Sequence, residues 1–160
     1  MTAQPPVKRA ICLATLNSTW QHTSFGLRYL KANLGELEAE SQILEFTIRG
    51  NPREIAKTIL ATDPRIVGFG VYIWNTSETL RVLREIRSSG REILIVLGGP
   101  EVSHESETQE ICKLADFVIK GEGDVAFREL CQSILRGQPP SHKFISAPLP
   151  EVQKLALPYR

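Results

Sequence analysis

Four stretches of this 160-residue chain carry side chains or bare main chain that could do chemistry. The first runs from Asn17 to Ser24, where Asn17, Ser18, Gln21, His22 and Thr23 offer amide, hydroxyl and imidazole groups. His22 could ligate a metal or cap a helix start, but a single histidine without a partner reads more simply as a solvated or hydrogen-bonded side chain. The second is Gly70-Val71-Tyr72-Ile73-Trp74-Asn75. Its rings could line a large flat ligand, although Tyr72 could equally be core and Asn75 could cap a helix beginning at Thr76. The third is Gly98-Gly99-Pro100, where a missing Cβ lets main chain approach a bulky ligand, or simply lets a strand turn into a helix. The fourth, Gly121-Glu122-Gly123, also permits a turn, with Glu122 able to cap the next helix.

Several chemistries are excluded by what is missing. There is no G-x-x-x-x-G-K-[ST] phosphate loop, and no G-x-G-x-x-G after the first strand. Three histidines and scattered carboxylates do not assemble a hydrolase, and the first and third strands lack the acidic ends of a phospho-receiver. Cys12, Cys112 and Cys131 are odd in number and far apart, so neither a disulfide framework nor a metal knuckle can be built from them. Each is expected to pack as a small hydrophobe in a reduced, cytoplasmic protein. Lys and Arg total 19 against 18 Asp and Glu, a net charge of +1 that gives no pull toward nucleic acid or an anionic membrane. The start of the chain lacks a signal-peptide core, and Ile93–Leu97 is too short an apolar run to span a bilayer.

The elements that must position these stretches are read from hydrophobic periodicity. Residues 10–14, 43–48, 66–73, 92–97 and 116–120 read as strands; the runs 66–73 and 93–97 are continuously apolar, as strands buried on both faces are. Between them lie helical stripes: Leu27, Leu30, Leu34 and Leu37; Ile55 and Ile59 after Asn51-Pro52; Leu80, Leu83 and Ile86 from Thr76 to Gly90; a weaker segment over 105–114; and Phe127, Leu130 and Ile134. The Arg81, Arg84 and Arg87 row reads as a solvated helix face. Alternation of this kind predicts a doubly wound α/β domain, a five-stranded parallel sheet of order 2-1-3-4-5 with helices on both faces. Ligands in such sheets sit beyond the carboxyl ends of the strands, which picks out the loops Asn17–Ser24, Trp74–Thr76, Gly98–Ser103 and Gly121–Asp124. Residues 1–7 are expected to be extended or disordered, 8–136 to form the domain, and the proline-punctuated 137–160 to be a linker out of a fragment cut at a domain boundary.

Taken together, Gly68–Asn75, Val96–Val102 and Phe117–Asp124 resemble the N-terminal cobalamin-binding domain of cobalamin-dependent radical S-adenosylmethionine enzymes. That group includes methyltransferases and the anaerobic magnesium-protoporphyrin monomethyl ester cyclase. The resemblance implies that Gly98 and Gly99 lie against the nucleotide tail of cobalamin. It also implies that Gly70 stands where many such domains carry a serine. Tyr72, Trp74 and Asn75 would border the corrin or its tail, residues 17–24 would lie under the cobalt, and Pro100, Gly121, Glu122 and Gly123 would complete the site. The D-x-H-x-x-G motif is absent, since Trp20 precedes His22 by two residues, so the resemblance implies cobalamin held base-off without a histidine ligand. The C-x-x-x-C-x-x-C signature is absent too, and a cluster needs thiolates grouped together. S-adenosylmethionine and an iron–sulfur cluster would therefore belong to a C-terminal radical barrel of the same parent chain, with no nucleic acid or membrane partner. Two other readings stand beside it: a non-catalytic interaction domain that keeps the fold without cobalamin, and a flavin- or nucleotide-binding domain supported by fold analogy alone.

Overall fold

The structure, a computed structural model, describes residues 7–159. The extended or disordered segment expected at 1–7 lies, apart from Val7, outside the described residues. The strands are β1 (Ile11–Asn17), β2 (Ser41–Thr47), β3 (Ile66–Gly70), β4 (Leu94–Gly98), β5 (Phe117–Lys120) and β6 (Phe144–Ser146). They form one parallel sheet of order β2-β1-β3-β4-β5-β6. The helices are α1 (Phe25–Ala32), α2 (Pro52–Ala61), α3 (Thr76–Ser88), α4 (Glu110–Lys113) and α5 (Gly123–Leu135).

Alternate strand residues face opposite ways, and the burial obeys that rule. Cys12, Ala14, Val67, Phe69, Ile95 and Leu97 pack with α2, α3 and α4. Ile11, Leu13, Ile66 and Val96 pack with α1 and α5. All three cysteines are buried free thiols, and burial pushes Cys12 and Cys131 up to about 12. Local signals act as read at α2, where the Asn51 carboxamide oxygen accepts from the Arg53 and Glu54 N–H groups at 2.9 and 3.2 Å and Pro52 fills the first turn.

The sheet has six strands where five were expected. The sixth comes from the segment read as a linker: Phe144 and Ile145 pack on opposite faces, and β6 covers the edge of β5 that would otherwise present unpaired main chain. The four-leucine stripe is not one helix either. Here α1 stops at Ala32, Gly35 turns left-handed (φ +61°), and a 3-10 turn over Gly35–Glu40 keeps Leu34 fully buried. Strand β3 ends at Gly70, so Tyr72 and Trp74 stand in the loop beyond it rather than finishing a strand. The helix expected over 105–114 is one 3-10 turn over Ser106–Thr108 and the short α4, entered through Glu105 at φ 49°.

Nor is the arginine row a uniform solvated face. Arg81 is exposed and Arg84 pairs with Glu110, but Arg87 folds back onto the sheet. Its guanidinium donates to the Leu114 oxygen from Nε and Nη2 (3.0 and 2.6 Å), to the Ile93 oxygen from Nη1 (2.9 Å) and to Asp116 Oδ2 from Nη2 (2.8 Å). Asp116 Oδ2 in turn accepts from the Ile95 N–H at 2.7 Å, so one arginine fastens the entries of β4 and β5. Arg87→Ala is expected to lower the urea unfolding free energy by roughly 1–3 kcal/mol, whereas Arg81→Ala should stay within about 0.5 kcal/mol of the parent.

Candidate cofactor site

The carboxyl ends of the central strands open into a cavity of about 590 Å³, within the range of small-molecule sites. Its wall is largely apolar, with Leu13, Leu27, Leu30, Val96, Ile119 and Phe127 contributed from the α1/α5 side of the sheet. Gly70, Tyr72, Gly98, Gly99, Pro100, Gly121, Glu122 and Gly123 all line it, so the structure brings together three of the four stretches singled out in the sequence.

The two glycines after β4 have different reasons to be glycine. A Cβ on Gly98 would meet nothing within 4 Å, so open cavity begins directly at its main chain. Gly99 adopts φ +112°, and a Cβ there would collide with the Val71 carbonyl oxygen. Val71 N–H donates to the Gly98 oxygen at 2.8 Å, so this close approach is between two loops of the protein itself. Gly99 must therefore be glycine for the fold itself, while its main chain still lines the cavity beside Gly98. Gly121 (φ +95°) is likewise a turn glycine, its would-be Cβ 3.0 Å from the Ala147 oxygen. Ser103, at the end of the loop after β4, joins the two glycine turns: its hydroxyl donates to the Gly99 oxygen at 2.9 Å and accepts from the Gly121 N–H at 3.2 Å. Glu122 occupies the position before α5 but makes no capping hydrogen bond with its side chain. Burial pushes the Asp124 carboxyl above its ordinary range; a main-chain N–H opposes this and the Glu122 charge adds to it.

The aromatic pair stands at one side of the cavity without filling it. Tyr72 lines it and Trp74 stacks on Tyr72, ring centroids 4.6 Å apart and planes within 9°. Trp74 stays 49% exposed, and burial pushes the Tyr72 phenol up. Asn75 is fully buried and does not reach the cavity, nor does its side chain cap α3. Both sequence readings of Asn75 are thus replaced by a third. Its Oδ1 accepts from the Tyr72 N–H at 2.8 Å, and its Nδ2 donates to the oxygens of Leu16 (3.1 Å) and Gly70 (3.2 Å).

The 17–24 loop does not reach the cavity. Gln21, His22 and Thr23 are exposed, Ser18 is half-buried, and Asn17 is spent on the loop itself. Asn17 Nδ2 donates to the His22 oxygen (2.9 Å) and to Glu45 Oε1 (3.1 Å); Glu45 also accepts from Ser24 N–H (2.6 Å) and Arg28 Nη2 (2.9 Å). Burial resists ionisation of Glu45, but these donors and the Arg28 charge together hold its carboxyl below the ordinary value. Among the described residues no cluster of three or more His, Cys, Asp and Glu could hold a metal ion, and no helix is long and apolar enough to cross a membrane. Cavity residues that sequence reasoning missed, such as Gly26 and Tyr29, lie on α1, whose faces single-chain periodicity assigns to core or solvent.

A doubly wound parallel sheet with an open cavity at its carboxyl edge, bordered by glycine main chain, defines a cofactor-binding α/β domain. The chain belongs to the B12-binding domain family, whose model matches residues 11–131. Cobalamin is therefore the cofactor that family membership assigns to it. Among curated proteins it is 31% identical over 86 residues to an uncharacterised methyltransferase of Pyrococcus horikoshii, a match covering 53% of this chain and 19% of that one. It is also 31% identical over 78 residues to the cobalamin-dependent radical SAM methyltransferase TokK of Streptomyces tokunonensis, covering 48% and 12%. Its matches thus span a fifth or less of these relatives' lengths. In fold it is similar to the radical S-adenosylmethionine methyltransferase TsrM of Kitasatospora setae (TM-score 0.68, 21% identity, 84% of this chain and 27% of that one). It is similar also to the cobalamin-dependent S-adenosylmethionine radical enzyme OxsB (TM-score 0.68, 14% identity, 89% and 23%).

The Glu45 cluster makes an acid-sensitive contribution. Because its folded-state pKa lies below the unfolded value, its stabilisation is complete above about pH 5 and disappears as pH falls through the folded value. Urea unfolding of Glu45→Gln against the parent should show a deficit at neutral pH that shrinks as pH falls below the ordinary Glu value of about 4.3. A deficit independent of pH would remove the charge from this account.

Proposed function

We propose that this chain is the cobalamin-binding module of a cobalamin-dependent radical S-adenosylmethionine methyltransferase, holding the corrin base-off without a histidine ligand. The observation that carries the reading is the open cavity directly against Gly98 at the carboxyl edge of the sheet, in a chain of the B12-binding family. The residues fit such a group. A corrinoid is larger than this cavity, so its nucleotide tail would enter between β3, β4 and α5 while the ring stays outside. Gly98 offers main chain to the tail, and the Ser103 bridge holds the Gly-Gly-Pro and Gly-Glu-Gly turns at a fixed spacing. The apolar wall excludes water, and the Tyr72–Trp74 stack presents ring surface beside the cavity. Bound cobalamin would supply a cobalt centre that carries a methyl group between donor and acceptor.

Two observations support the base-off, histidine-free mode. His22 is exposed in a loop tied down by Glu45, and its sequence context lacks the aspartate that would orient an imidazole. His104 does line the cavity, but it comes after the Gly-Gly-Pro turn, on the side the resemblance gives to the tail. Methyltransferase relatives favour methyl transfer over the cyclase chemistry. The radical barrel that holds S-adenosylmethionine and the cluster would belong to the rest of the parent chain. It would cover the exposed Trp20, Phe25 and Ile73 around the carboxyl edge. Buried free thiols suit a reducing cytoplasm.

Titration with hydroxocobalamin and methylcobalamin in the dark without oxygen, read by ultraviolet–visible absorbance, tests the reading. Binding with a base-off spectrum is expected, and Gly98→Leu, which fills open space, should weaken it at least about tenfold while melting near the parent temperature. Gly99→Ala should instead lose the fold. No spectral change with the unsubstituted chain would sink the module reading, and a base-on bound spectrum would sink the proposed mode.

A further inference from the structure

Pairing between β1 and β3 runs from Ile11↔Ile66 to Ala14↔Phe69 and then stops, while β1 continues beside β2 as far as Asn17. Beyond that point the two central strands diverge, and the main-chain oxygens of Leu16 and Gly70 face a gap that no neighbouring strand fills. The Asn75 carboxamide occupies it, with Nδ2 serving both oxygens and Oδ1 holding the Tyr72 N–H. Thr15 Oγ1 adds a second donor to the Gly70 oxygen at 3.2 Å. The loop is closed further by the Asn75 N–H to the Tyr72 oxygen at 3.0 Å and the Thr76 hydroxyl to the same oxygen at 2.8 Å. Every hydrogen bond of the Tyr72 main chain therefore runs to Asn75 or Thr76, and Trp74 depends on Tyr72 through the ring stack.

We infer that Asn75 is a positioning residue for the cofactor cavity: it fixes the Tyr72–Trp74 stack at the divergence of β1 and β3, so that ligand affinity depends on a side chain the ligand does not touch. Asparagine is specific here because the site needs one acceptor and two donors on a single planar group. An aspartate keeps the acceptor, loses both donors and sets a carboxylate against two carbonyl oxygens. Alanine takes the amide away from the Leu16 oxygen and the Tyr72 N–H and leaves the Gly70 oxygen to Thr15 alone, so two main-chain groups lose the partner that offsets their lost solvation. Nothing else in the loop can replace the amide, since Ile73 points into solvent at 78% exposure.

The inference rests on the cobalamin reading for its ligand, and a ligand-independent readout separates the two. Trp20 and Trp74 are the two tryptophans of the chain, so Trp20→Phe leaves Trp74 as sole reporter. In that background Asn75→Asp should raise acrylamide quenching of Trp74 fluorescence at least about twofold, with the far-ultraviolet circular dichroism of the parent. It should also weaken cobalamin binding at least about tenfold, measured on the folded protein. A purely structural role would lower the melting temperature and leave both the quenching and the affinity of the folded fraction unchanged, and that result overturns the inference. If the unsubstituted chain binds no cobalamin, the ligand reading falls, and the quenching comparison alone decides the positioning role. Should Asn75→Asp not fold, Thr15→Val, which removes one of two donors to the Gly70 oxygen, must move quenching and affinity in the same direction by a smaller factor. If neither moves, the inference is overturned equally.

Discussion

Buried main-chain oxygens must be paired, and in this protein that requirement is sharpest where β1 and β3 diverge. In a doubly wound sheet the central strands send their connections to opposite faces, so no helix covers the gap between them and ligand space arises there. The same divergence strips the strand ends of ladder partners. Asn75 and Thr15 satisfy those ends from inside the protein, without occupying the cavity. The cavity is thus bordered by main chain whose strand-end oxygens are already paired.

Glycine placement obeys the same geometry. Gly98 and Gly99 are adjacent and answer opposite demands: open space at one, contact with the Val71 main chain at the other. The loops after β3 and β4 must come within hydrogen-bond distance for the cavity to have a wall, and a side chain at Gly99 would force them apart. Ser103 then ties the β4 loop to the turn after β5. The wall is a chain of loop-to-loop contacts in which each loop holds the next.

The rest of the molecule holds this edge in place. Arg87 and Asp116 fasten the opposite ends of β4 and β5, and the Glu45 cluster fastens the loop after β1. The C-terminal segment also belongs to the body. Asn33 exchanges hydrogen bonds with Ala156 (3.1 and 2.8 Å), and Tyr159 meets Phe25 edge-on at 6.2 Å. Proline-rich and aperiodic as it is, the segment is held through single residues, which leaves no period to read.

The alternation of apolar runs with helical stripes determined the parallel sheet, because strands and helices that bury their faces leave distinct periods in any window of sequence. Cap signals such as Asn51-Pro52 and the glycine turns were legible for the same reason: they act within a few residues. Tertiary structure decided what depends on distant neighbours. Whether Val71 demands a glycine at position 99, whether Asn75 caps a helix or bridges two strands, and whether Asn17 bonds Glu45 turn on residues far along the chain. The sixth strand formed because an unpaired sheet edge was available, and three residues of sequence carry no trace of such an edge. Local order is written in local spacing; the roles of side chains at a site are written in which backbones the fold brings within about 3 Å of them.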